Sequence, residues 1–350
     1  MKKFIVMITL LCSLIFSVSL VFGERPAHRP EEGTAALLFY DRMVYIMGNL
    51  RDTEYVHRLN KVMNEDGGIY KYDCSGFVGE FILQQTLPTH YHDLFDNAKR
   101  FHSAEGSGDD KRPRAWGFYD YFREILGDEV ENSNAYWYVF KSYEKIQPGD
   151  IIVAKYDEEW QKFIRDPDRG GCGSASTGHV MLAWSFPVIS TVNTDEFWIY
   201  IIDSSGSGHA KDTRKTEYDN VNDDNGIGKG KMWYGFNTKT TTDGEEYHRP
   251  IYYRWAEVDG CRYTLHTMTT GCGREGNCYC PNDDDCYFKY NPNYPKRKYL
   301  NHKYFERLQG IIMARPIGNI PAKGDINNDG KVGLEEAIHA LQVTSGENSQ

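Results

Sequence analysis

The 350-residue chain is short of positive charge: Lys and Arg number 40 against 50 Asp and Glu, for a formal net charge of −10. No basic stripe breaks this balance, which argues against nucleic acid or an anionic membrane surface as a partner. Beyond residue 22 no stretch is apolar enough to span a bilayer. There is no internal repeat. Paired zinc knuckles are also missing, since Cys278-x-Cys280 is too closely spaced and has no second knuckle. The glycine-rich run Gly226-Ile227-Gly228-Lys229-Gly230-Lys231 lacks the strand–helix context of a dinucleotide fingerprint. It reads as a turn before a strand, forming a cleft wall.

The N-terminus has Lys2 and Lys3 followed by an apolar run over residues 4–22. Val21 and Gly23 form a small-residue cleavage site before Glu24, so residues 1–23 read as a secretory signal peptide. An uncleaved anchoring helix is the alternative, which Ser13, Ser17 and Ser19 disfavour by diluting the run. The expected location is extracellular or periplasmic, with no membrane attachment after cleavage. Loss of the two lysines takes the formal charge from −10 to −12.

Export implies an oxidising compartment, in which cysteines pair. The chain has eight cysteines, and Cys12 lies in the signal. Cys172, Cys261, Cys272, Cys278, Cys280 and Cys286 are an even set suited to disulfides, with connectivity open. Cys74 is left over. An odd cysteine in an exported protein marks a free, reactive thiol. Cys74 also opens an apolar run with helical spacing, formed by Phe77, Val78, Phe81 and Ile82. The positive end of a helix dipole stabilises thiolate over thiol. Two independent arguments therefore select Cys74 as a nucleophile.

Such a nucleophile needs a base, and the base needs an orienting acceptor. His179 opens the apolar strand 179–184 after a Gly/Ser-rich loop. Asp203 ends the next strand-like run, 197–202. His209 is the runner-up base or third residue, or a substrate contact. His90 and His92 read as surface residues.

Helical spacing marks 34 to about 50, 74–85 and 118–126, with a loop over 97–114. Strand-like runs follow at 151–154, 179–184, 197–202, 251–255 and 311–315. Helices first and strands after describe an α+β fold.

Four segments carry a family resemblance: Asp73-Cys74-Ser75-Gly76-Phe77-Val78, Gln147-Pro148-Gly149-Asp150-Ile151-Ile152, Gly178-His179-Val180-Met181 and Ile202-Asp203-Ser204-Ser205. Across roughly half the chain they resemble the NlpC-type family of papain-like cell-wall peptidases. The resemblance implies N-terminal helices packed on an antiparallel sheet. It also implies a cysteine hydrolase of amide bonds in peptidoglycan stem peptides. Cys74 would be nucleophile, His179 base and Asp203 orienter, with Tyr72, Asp73, Ser75 and His209 lining the substrate site. The chain departs from the pattern in the Asp at the third position, in the 24-residue separation from His179 to Asp203, and in the long continuation beyond. Acyl transfer to an amine or lipid, as in transglutaminase-like thiol enzymes, is one alternative reading. A non-catalytic calcium-binding or docking protein is another.

The catalytic unit is expected over 24–315, with a Cys-rich insert at about 261–286. A Pro/Gly linker, 316–323, precedes a module at 324–346. There, Asp325-Ile326-Asn327-Asn328-Asp329-Gly330-Lys331-Val332-Gly333-Leu334-Glu335-Glu336 fits the EF-hand calcium-loop template. Asp325, Asn327, Asp329 and Glu336 would supply side-chain oxygens, and Lys331 its carbonyl. One loop and its exiting helix resemble half a dockerin, so Ca2+ is the expected ion and a docking partner the further expectation.

Overall fold

The computed structural model describes residues 29–31, 33–57, 60–98, 112–156, 178–191, 194–206, 209, 212–214, 225–254, 263–264, 278–279 and 308–318. The signal peptide and the calcium loop 325–336 lie outside these residues. So do Cys172, Cys261, Cys272, Cys280 and Cys286, and all of Cys278 but its backbone.

Helix α1, Ala35–Asn49, starts where the Thr34 hydroxyl accepts from the Leu37 N–H at 3.2 Å. Its apolar face, Phe39, Tyr40, Met43 and Ile46, is buried. Strands β1 (Asp52–Glu54), β2 (Val62–Asn64) and β3 (Ile69–Lys71) form a small sheet with β3 in the middle. Helix α2 follows over residues 74–86. It is α-helical at Cys74–Gly76, π-helical at Phe77–Leu83, and α-helical again at Gln84–Thr86. Its bounds match the expected helix; the wide central turn was not anticipated.

Helix α3, Pro88–Ala98, occupies residues without an expected element. Proline suits its first turn, where its missing N–H is not needed. His90 is not a surface residue: it is buried, and its Nε2 lies 2.8 Å from the Ile317 carbonyl. Helix α4, Ala115–Leu126, begins three residues before the expected start and ends at Gly127.

The large sheet is antiparallel throughout. Its strands are β4 (Glu131–Ser133), β5 (Trp137–Phe140), β6 (Ile151–Tyr156), β7 (Gly178–Ala183), β8 (Val188–Ile189), β9 (Glu196–Ser205), β10 (Gly226–Thr240), β11 (Glu246–Arg254) and β14 (Leu308–Pro316). Their order is β11-β10-β9-β7-β6-β14-β5-β4, with β8 on β9. A separate ribbon pairs β12 (Tyr263–Thr264) with β13 (Cys278–Tyr279). The sheet curls, and β11 comes against β14.

Both faces of the central strands are buried, which is why their sequences run apolar without alternation. Val153, Val180, Leu182, Ile202 and Ile312 face the helices. Ile152, Ala154, Met181, Ile201, Met232 and Met313 fill the inside of the curl. Each such aliphatic side chain contributes about 2 kcal/mol by leaving water.

One expectation is corrected. Residues 226–234 are not a turn before a strand; they are the first part of the 15-residue β10. Gly228 and Gly230 belong in a strand here because other groups press on it, as described below. The architecture is mixed α+β, with few helices on a curled antiparallel sheet.

Candidate active site

The first turn of α2 packs on β7 and β9. Asp73 caps it: its Oδ1 accepts from the Gly76 N–H at 2.9 Å, and its carbonyl accepts from the Phe77 N–H at 2.9 Å. Gly76 allows the turn to lie on the Tyr72 ring, since a β-carbon there would stand 2.4 Å from it. Cys74 thus opens the helix, 7% exposed and with a free thiol.

Gly178 lets β7 start tight against β6. At φ 146° it adopts a backbone that side chains rarely tolerate, and a β-carbon would sit 2.0 Å from the Ala154 carbonyl. The next residue, His179, points into the end of the curl. Its Nε2 lies 2.5 Å from Asp203 Oδ2, and the ring is also hydrogen-bonded to Cys74. Nε2 being used, Nδ1 is left for the sulfur. Burial disfavours protonation of His179, but the adjacent Cys74 and Asp203 outweigh it and push the imidazole up to about 9. The imidazole beside the sulfur therefore favours its charged form.

Asp203 is wholly buried on β9, paired in register with Gly228 of β10. Burial opposes its ionisation, but His209, Arg214 and His179 hold it well below the usual carboxylate range. Arg214 Nη2 donates to Oδ1 at 3.0 Å, and His209 Nε2 lies 3.2 Å from Oδ2. Asp212 completes the cluster, with both oxygens 2.9 Å from Arg214 Nε. The Ser204 hydroxyl donates to the Tyr72 carbonyl at 2.5 Å, tying the strand of Asp203 to the turn of Cys74.

The structure thus brings together Cys74, His179 and Asp203, and the four residues expected to line the substrate site are buried around them. Tyr72 is fully buried, its hydroxyl donating to Glu80 at 3.0 Å. Ser75 is buried, bonded to Asp73 and to Arg112 Nη1. His209 is buried behind Asp203, away from solvent. Asp73, also expected to line the substrate site, is buried too, ion-paired with Arg112, which itself lies over the Tyr72 ring. Nearer the surface are Tyr55 and His57, from the segment after β1. Tyr55 is half-buried; burial first, then the charges of Cys74 and Asp73, push its hydroxyl well above the ordinary tyrosine value. His57 is exposed, with Nδ1 3.7 Å from Asp73.

Arg112, Asp212 and Arg214 escaped the sequence reading. The one signal for Arg214 was the alternating glycines of β10. A β-carbon at Gly228 would meet Arg214 at 2.5 Å, and one at Gly230 would meet His209 at 2.5 Å.

Among the described residues, no group of three His, Cys, Asp or Glu side chains is placed to hold a metal ion. No described helix is long and apolar enough to cross a membrane. Comparison with known proteins finds no matching family model, curated protein or solved structure.

Proposed function

We propose that the chain is a thiol hydrolase of peptide or amide bonds, with a papain-like arrangement, acting on peptidoglycan stem peptides. The observation that carries this reading is the line Cys74–His179–Asp203, with the thiol at a helix start and the imidazole bridging thiol and carboxylate. In this mechanism the Cys74 thiolate attacks the carbonyl carbon. Gly76 and Phe77 N–H are taken by Asp73. The oxyanion would therefore be held by the N–H groups of Cys74 and Ser75. His179 gives its proton to the leaving nitrogen as the C–N bond breaks, leaving a thioester. Water then attacks the thioester, His179 takes its proton, and the acid departs as the C–S bond breaks and the thiolate is regenerated beside the protonated imidazole.

Secretion and calcium belong to the same proposal. They rest on the leader at 1–23 and the loop at 325–336, with Asp325, Asn327, Asp329, Lys331 and Glu336 as ligands.

The test is mass spectrometry of purified peptidoglycan fragments incubated with wild type and with Cys74→Ala. Wild type should release cleaved stem peptides and Cys74→Ala none, with thermal stability nearly unchanged. Equal cleavage by both, or Cys74 found in a disulfide, would overturn the reading.

A further inference from the structure

We infer that Arg214 and His209 are positioning residues that keep Asp203 charged and aimed at His179, and that the alternating glycines of β10 exist to admit them. This rests on the reading of Cys74, His179 and Asp203 as a thiol hydrolase site.

A carboxylate has two oxygens and can turn. Here Oδ1 is held by Arg214 Nη2 at 3.0 Å, so Oδ2 is left facing both imidazoles, His179 at 2.5 Å and His209 at 3.2 Å. Arg214 is itself fixed by three further groups. Its Nε reaches both oxygens of Asp212, its Nη1 donates to the Gly226 carbonyl at 2.9 Å, and its Nη2 lies 2.6 Å from His209 Nδ1. Asp212 also accepts from the backbone N–H of His209 and of Arg214. The cluster is therefore rigid, and nearly all of it is closed to water.

The strand is shaped around the cluster. On β10, Gly228 and Gly230 face it, and either β-carbon would collide with it at 2.5 Å. Lys229, between them, points the other way and lies over Trp184 and Tyr200. Glycine weakens a strand interior by losing more freedom on folding than other residues. Two of them on one face are explained by what they let in.

The groups facing Asp203 are His179 from β7, His209, Arg214 and Asp212 from the segment beyond β9, and Tyr234 from β10, with Cys74 behind His179. Arg214 and the His179 imidazole stand nearest as cations to Asp203, with Asp212 the second carboxylate of the cluster. Removing Arg214 or the His209 imidazole makes Asp203 easier to protonate. A neutral Asp203 supports the imidazolium less, and the thiolate with it.

The experiment needs no substrate: the rate of Cys74 alkylation by iodoacetamide is measured against pH in the full chain. Wild type should stay reactive at mildly acidic pH. Arg214→Met should move the acid limb of the profile upward by about one pH unit or more. Arg214→Lys should restore part of the shift, since it keeps the charge but lacks the fork that spans Asp203 and Asp212. His209→Gln should move the limb the same way by less. It leaves Arg214 in place and decides the matter if Arg214→Met does not fold. An unchanged acid limb in the folded variants overturns the inference. A wild-type chain without a reactive Cys74 overturns instead the thiol reading beneath it.

Discussion

Two aspartates of the large sheet are equally buried, and each meets an arginine, yet they behave in opposite ways. Asp150 ends the turn before β6 and is gripped by Arg315, at 2.7 Å from Nε and 2.8 Å from Nη2. The Gln147 N–H donates to it as well, at 2.7 Å. Burial still wins, and its carboxyl is raised above the usual range. Asp203 has a comparable arginine contact plus two imidazoles and is held well below that range. One cation does not offset full desolvation of a carboxylate; several do. Asp150 fastens a turn to β14, whereas Asp203 is kept charged because an imidazole depends on it.

The largest expected effect breaks the pair at Asp203. Asp203→Ala should cut amide hydrolysis by about 10²- to 10⁴-fold through loss of imidazole orientation. It should also cost about 3–5 kcal/mol, because it leaves Arg214 and His209 buried with Asp212 alone of their two carboxylates; chemical denaturation measures this. Asp150→Ala should cost less, about 1–3 kcal/mol, since Arg315 is partly exposed and can take up water. Its alkylation profile at Cys74 should match wild type. A shifted profile would show that Asp150 also serves the site.

The pH dependence should differ in sign between the two. Asp203 is depressed, so its stabilisation is present above the ordinary carboxylate range and is lost on acidification through its lower folded value. Asp150 is raised, so its contribution is present below that range and is lost as pH rises through its higher folded value. Melting curves of Asp203→Asn and Asp150→Asn between pH 3 and 7 should therefore diverge from wild type in opposite directions. At the alkaline end, His179 is raised from its ordinary value of 6.5 to about 9. Its stabilisation is complete below about 6.5 and is lost as pH climbs through about 9, and hydrolysis should fall over the same upper limb for want of a proton donor. An activity that keeps rising past that limb would contradict the protonated His179. The smallest effect is expected of Ser204→Ala, which loses one buried hydrogen bond worth about 1 kcal/mol and slightly loosens the Cys74 turn against β9.

Much of this was legible beforehand for physical reasons. The run after Cys74 has helical spacing, and the strands at 151, 179 and 197 are too continuously apolar to lie anywhere but inside. Cys74, His179 and Asp203 stood out because each sits at the start or end of such an element. Arg112 and Arg214 did not, because the sequence before each has no periodicity to mark which charges will be buried. Tyr72 is the converse case: adjacency to a nucleophile in sequence says nothing of which way a ring turns, and this one turns inward to Glu80. Gly228 and Gly230 read as a turn because glycine has no side chain to disclose that an arginine fills the place at one and a histidine at the other.

The π-helical stretch Phe77–Leu83 bears on how this protein can change over generations. Such a stretch accommodates a residue more than α-helical winding does over the same length. Deleting one residue there would let the helix relax to ordinary pitch over the same length, leaving its first residue close to its present orientation on the buried face. The apolar run would still fold, and Cys74 would keep close to its present direction. The same deletion in a regular α-helix would swing its first residue by about 100°, so the wide turn buffers the position of Cys74 against a change in length.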